Sequence, residues 1–151
     1  MTYDKLIEET GAQIGIEGFA PDADGVCVIV SEIGEITIMD CTEGPVELVL
    51  LNAAVADVPP DAGAALSEAL KANWCFKDTR GATLHIDSET NRFELSQHAR
   101  LEDLDPDKLI LIVEDFATAL VDLRNRLDGE HLSGSPEEVS ELLGMDGFIR
   151  V

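Results

Sequence analysis

Residues 104–127, LDPDKLILIVEDFATALVDLRNRL, constrain the fold more than any other part of the chain. Asp105 can cap a helix and Pro106 suits a first helical turn, where its missing N–H costs nothing. Leu109, Ile112, Val113, Phe116, Leu120, Leu123 and Leu127 then recur every three or four residues, so the segment reads as a long core helix. Ile110, Leu111 and Val121 lie off that stripe and give the helix more apolar surface than one lying on a small monomer needs.

The other segments supply strands and two shorter helices. Tyr3, Leu6, Ile7, Thr10 and Ile14 share one face at helical spacing, which predicts a helix over residues 3–14. Glycines and PDADG (21–25) read as a loop, followed by VCVIVS (26–31), a turn at EIGE and ITIMDC (36–41), a hairpin. VELVLLNAAV (46–55) is apolar on both alternating faces and is expected to lie centrally, covered on both sides. VPPDAGAALSEALKANW (58–74) predicts a second helix ending near Asn73, with Ala62, Leu66, Ala69 and Leu70 at helical spacing. ATLHIDS and RFELSQH flank a turn at residues 89–91 and form a second hairpin, with Leu84 and Ile86 on one face and Thr83, His85 and Asp87 on the other. The expected fold is α+β in the order helix-strand-strand-strand-helix-strand-strand-helix, an antiparallel sheet packed with helices over residues 1–127. Residues 128–151 are expected to be a C-terminal extension, with a short helix opened by the capping box from Ser135 to Glu138, and an extended FIRV.

A chain of 151 residues with 45% apolar residues fits one domain with a real core. Thirty-one acidic against ten basic residues give a formal net charge of −21. Such a field repels phosphate backbones and anionic membranes and favours basic partners, so neither nucleic acid nor membrane is an expected partner. The acidic, amphipathic start lacks a secretion signal and no apolar run is long enough to span a bilayer, so the expected location is the cytoplasm. Cys27, Cys41 and Cys75 form no CxxC pair and read as reduced core thiols.

Chemistry would be sought first in ANWCFKDTRGATLHID (72–87), which holds the only tryptophan, Cys75 and His85. No nucleophile-turn sequence or orienting partner accompanies Cys75 and His85. DADG has its glycine fourth from Asp22, where a calcium loop needs it sixth, and no glutamate twelfth. His85, His98 and His131 lack metal-ligand spacing, and there is no phosphate-cradling glycine loop. No cofactor, metal or catalytic residue is expected. The stretch reads as a hinge in which Trp74 and Phe76 bury the helix end against the sheet and Asn73 takes a left-handed turn; Trp74 as an exposed anchor at a contact is the other reading.

The order of these elements, with DGVCVIV, EITIMDC, LLNA, LSEALKANW, GATLHID, RFELSQH and the leucine-rich last helix in sequence, resembles the type III secretion chaperone family, the class I, Tir-chaperone-like group that escorts individual secreted effectors. The resemblance covers residues 1–127, and the LHID and RFEL hairpin with the helix after it carries most of it; residues from 128 onward depart from the compact pattern. It implies an ATP-independent homodimer that holds an N-terminal effector segment in extended form. It also implies a client-binding surface around Leu6, Ile7 and Ile14 of the first helix and Val28, Ile36, Ile38, Val49 and Leu51 of the first three strands, core packing being the alternative for each. The implied dimer contact comprises Leu66, Leu70, Trp74 and Leu84. A regulatory adaptor on the same fold, binding a folded cytoplasmic regulator, is the alternative function.

Overall fold

The computed structural model describes residues 1–42 and 44–127. Three α-helices and five strands follow the expected order: α1 Tyr3–Gln13, β1 Val26–Ser31, β2 Gly34–Asp40, β3 Leu48–Asp57, α2 Gly63–Ala72, β4 Thr83–Asp87, β5 Arg92–Arg100 and α3 Pro106–Leu127, with 3-10 turns at Trp74–Phe76 and Leu101–Asp103. All pairings in the sheet are antiparallel, in the spatial order β1-β2-β3-β5-β4. The expected short helix and FIRV strand of the C-terminal extension lie outside the described residues.

Local chemistry fixes the ends of these elements. The Thr2 side chain accepts from the Lys5 N–H to cap α1, and Asp105 Oδ1 accepts the Lys108 N–H at 2.9 Å, with Pro106 opening α3 as its fixed φ allows. β1 and β2 meet in a two-residue turn closed by the Ser31 and Gly34 pair. Gly34 takes φ +106, and the Arg124 guanidinium lies where a β-carbon would point. Pro59 and Pro60 stand in the loop before α2, and the helix starts only at Gly63.

The sheet has one dry face and one open face. Cys27, Ile29, Ile36, Ile38, Val49, Leu51, Ala53, Phe93 and Leu95 alternate onto the dry face and pack with Leu6 and Ile7 of α1 and Leu109, Phe116, Leu120 and Leu123 of α3. Removing each Leu, Ile or Phe side chain from water stabilises the fold by about 1.5–3 kcal/mol, so this single layer supplies most of the driving force. A register shift between Ala54 and Ala56 on β3 turns Ala56 back to the dry face opposite Phe93. Arg124 ties the two ends of this arrangement together, donating to the carbonyls of Ile33 in the β1–β2 turn and Ala54 at the shift.

The structure corrects four expectations. β3 is central but is not covered twice: Leu48 and Leu50 on its second face are half-buried, and among the described residues no helix belongs to that side. Trp74 and Phe76 do not bury the end of α2: they are 73% and 53% exposed, the alternative reading for Trp74, and the chain passes through left-handed residues immediately after Trp74. Those residues are Cys75 and Phe76, at φ 55 and 54, whereas Asn73 stays right-handed at φ −71. Cys75 is accordingly an exposed thiol; Cys27 is buried and Cys41 half-buried.

Candidate functional site

The strands present alternate residues to the open face, and the register places them in rows. Val26 stands beside Met39 and Met39 beside Leu50, while Val28 stands beside Thr37, so β1, β2 and β3 share a half-exposed apolar field. Across β3 the same face turns polar. Asn52 donates to Glu94 Oε2 at 2.9 Å and accepts from the Ser96 hydroxyl at 2.7 Å, and the His85 ring lies 3.3 Å from Ser96 Oγ and 3.1 Å from the Glu94 carbonyl. This ladder was not singled out in the sequence, although Asn52 interrupts the apolar run of β3 and Glu94 and Ser96 are the alternating polar letters of RFELSQH.

Of the residues the resemblance implied for client binding, Leu6, Ile7, Ile36, Ile38, Val49 and Leu51 are fully buried on the dry face, where α1 and α3 cover them. Their side chains are therefore core, the alternative weighed for each. Ile14, at the end of α1, and Val28, on the open face, are half-buried and within reach of a partner. The apolar residues at the alternate positions of the same strands, Val26, Val28, Val30, Met39, Leu48 and Leu50, are each half-buried.

The residues implied for the dimer contact do come together. Leu66 and Leu70 of α2 line a groove with Ala69, Asn73, Leu84, Ile86 and Phe93, and Trp74 follows at the end of the helix. Leu70 is 73% exposed and Leu66 and Ile86 are each 39% exposed, while Leu84 is buried and forms part of the floor. With Trp74 and Phe76 this end of the molecule exposes large apolar side chains side by side, the signature of a protein contact.

Electrostatics add a uniform sign. Lys5, Lys71, Arg80, Arg92, Arg100, Lys108 and Arg126 each lie within ion-pair distance of a carboxylate. Most cations are thus answered internally, and the surplus carboxylates face solvent. Arg126 beside Asp78 holds that carboxyl below its usual range, and the Thr90 hydroxyl does the same for Asp87. Burial pushes the Tyr3 phenol up, and its hydroxyl donates to the Ile38 carbonyl at 2.9 Å, a core contact rather than a reactive group. Among the described residues no group of three or more His, Cys, Asp or Glu side chains is placed to hold a metal ion, and no helix is long and apolar enough to cross a membrane. Asp22 of the DADG loop spends Oδ1 on the N–H groups of Asp24 and Val26, both at 2.9 Å.

Comparison with known proteins places this architecture. A chain of the HopA1–SchA chaperone–effector complex superposes with a TM-score of 0.68 at 16% identity, covering 82% of this chain and 93% of that one. The structure of the Yersinia pestis type III secretion chaperone SycH with a stable fragment of YscM2 gives a TM-score of 0.63 at 17% identity, covering 83% and 99%. The ExsC–ExsE complex gives 0.68 at 14% identity, covering 86% and 95%. At such identities the likeness is one of fold. No curated protein matches the chain significantly. The family model, however, runs from residue 5 to residue 126, from α1 to the last turn of α3, and on that span the chain belongs to the Tir chaperone protein (CesT) family.

Proposed function

We propose that the protein is a cytoplasmic, ATP-independent secretion chaperone, not an enzyme, that binds an extended N-terminal segment of a type III secreted effector and keeps it soluble and competent for export. The observation that carries this reading is the apolar field of Val26, Val28, Met39 and Leu50 on a sheet face with no helix over it among the described residues, in a chain of a chaperone family. A strand whose sequence is apolar on both faces, but whose second face is left half-exposed, is suited to being covered by a partner. That the similar folds include a chaperone–effector complex and a type III secretion chaperone with a bound fragment supports the same direction. The acid surplus favours client segments bearing Lys or Arg, mainly through the rate of encounter.

We also propose that the chain works as a homodimer through α2, the Trp74–Phe76 turn and β4, where Leu66, Leu70, Trp74, Phe76 and Ile86 lose their exposure against a second copy. Residues 1–127 would form the chaperone domain, and residues 128–151 an extension to it.

Capture of the tagged protein from cells of its source, followed by mass spectrometry and limited proteolysis, tests the reading. Recovery of a secreted protein whose protected piece is a short N-terminal segment, unstructured alone, is the expected result. Recovery of only a compact cytoplasmic regulator would replace the chaperone with an adaptor.

A further inference from the structure

The last turn of α3 stands at the end of the hairpin that carries the open apolar field. Arg124 donates to the Ile33 carbonyl in the β1–β2 turn, and Arg126 pairs with Asp78 at 2.8 Å. The chain therefore leaves Leu127 beside the two strands whose open side bears Val26, Val28 and Met39. Twenty-four residues follow, 128–151, outside the described part of the chain.

Their sequence divides into a tether and an amphipathic piece. Asp128 to Gly134 is a mostly polar stretch with two glycines, and seven extended residues reach about 23 Å. A sheet layer is about 10 Å thick, so the tether rounds the β1–β2 turn with length to spare. After the capping box at Ser135, Val139, Leu142 and Leu143 share one side of a predicted helix and Glu137, Ser140 and Glu141 the other. Eight residues from Pro136 to Leu143 make a helix about 12 Å long, enough to lie along the hairpin as far as Met39. So short a helix is marginal alone and needs a surface on which to bury its stripe. The field of Val26, Val28, Met39 and Leu50, with no helix over it among the described residues, is such a surface.

We propose that residues 136–143 fold back as a helix over the apolar field of their own sheet, and that a client has to displace them. The second half of this rests on the chaperone reading and adds a control to the same site. The cover is a weak one. Residues 128–151 carry six carboxylates and one arginine, and Glu35 stands beside Val30 on the face they would approach, so like charges loosen the contact. A client segment bearing Lys or Arg meets no such repulsion and takes the site in preference. At an effective concentration of about 1 mM, given by a short flexible tether, an intrinsic dissociation constant of about 0.5 mM covers the field in about two-thirds of molecules. The sheet is thus shielded while no client is present and still open to one.

Methyl NMR on the full chain tests this. NOEs are expected from the Leu142 and Leu143 methyls to those of Val28, Met39 and Leu50, and a sample mixed from labelled and unlabelled protein, filtered for contacts between copies, is expected to show none of them. Leu142→Asp with Leu143→Asp changes residues outside the described fold and is expected to shift the Val26, Val28, Met39 and Leu50 methyls and leave those of Leu66, Leu70 and Ile86 in place. Ser140→Asp, on the polar side, is expected to shift neither set. With the effector segment recovered by capture as the probe, the double variant is expected to bind about threefold tighter than the wild type, because the uncovered fraction rises from about one-third to one. Absent NOEs, NOEs to Leu66, Leu70 or Ile86 instead, NOEs between copies, or equal affinity of the two proteins would each overturn the proposal. A captured effector without tail NOEs sinks the cover and leaves the chaperone reading, whereas tail NOEs with no secreted protein captured leave the cover and sink the client.

Discussion

At the scale of single residues, space and hydrogen bonding decide the sign of a substitution. Gly11 lies in α1 with Phe19 directly against it, so a β-carbon there runs into the root of the Phe19 side chain, which cannot swing away. Gly63 opens α2 with nothing within 4 Å. Alanine is the better helix former at both, by about 1 kcal/mol in a helix interior. Gly11→Ala is nevertheless expected to destabilise by about 1–3 kcal/mol through overpacking, and Gly63→Ala to be neutral or stabilising by up to about 1 kcal/mol, both read from urea unfolding. Asp105, Asp87 and Asp78 have carboxyls held below the usual range, by the Lys108 N–H, the Thr90 hydroxyl and Arg126 respectively. Their contribution is present above the ordinary aspartate range and is lost as pH falls through the lowered folded values. Asp105→Asn, which keeps a capping oxygen, is therefore expected to leave stability at neutral pH nearly unchanged and to flatten its fall below pH of about 4, in unfolding measured across the acid range. An equally steep acid limb in the variant would show that Asp105 carries none of it.

At the scale of elements, the stripe on α3 separates core from surface. Phe116 is fully buried and Leu111, on the same helix, is 60% exposed. Phe116→Ala is expected to cost about 3–5 kcal/mol and Leu111→Ala less than about 0.5 kcal/mol, by chemical denaturation. This contrast also marks what was legible in the sequence. Period and capping gave α3, the hairpin letters gave β1 with β2 and β4 with β5, and alternation assigned Leu84 and Ile86 to one face, because local pattern dictates local structure. What periodicity does not carry is which of two apolar faces receives a helix. For Ile36, Ile38, Val49 and Leu51 the resemblance implies a client contact with core packing as the alternative, and they are core, while their neighbours Met39 and Leu50 stand on the open face. Nor could it show the left-handed pair at Cys75 and Phe76, since neither is a residue type that favours that region, and so it left the exposed Trp74 as the second of two readings.

At the scale of the whole molecule, the proposed interactions rest on the apolar end formed by α2 and the Trp74–Phe76 turn and on the acid surplus. Leu70→Asp and Trp74→Asp alter side chains that are each 73% exposed, so the fold should hold within about 0.5 kcal/mol while sedimentation velocity shows the dimer replaced by monomer. A dimer that survives both changes would place the contact elsewhere. Client association is expected to slow as salt rises from about 0.05 to 0.5 M, with a smaller change in dissociation, measured by stopped flow. The Arg124 bridge bears on a different matter, the order of events during synthesis. The hairpin it pins, through Ile33, is made ninety-one residues earlier, and α1 likewise packs against α3, its Gln13 reaching Asp107. At about 5–20 residues per second, β1 and β2 wait several seconds with Cys27, Ile29, Ile36 and Ile38 uncovered before the helix that shelters them has been translated. A protein proposed to shield another's unfinished segment thus passes through a stage in which its own sheet needs shielding, and a ribosome stalled before Phe116 should leave a nascent chain that binds the cell's general holdases.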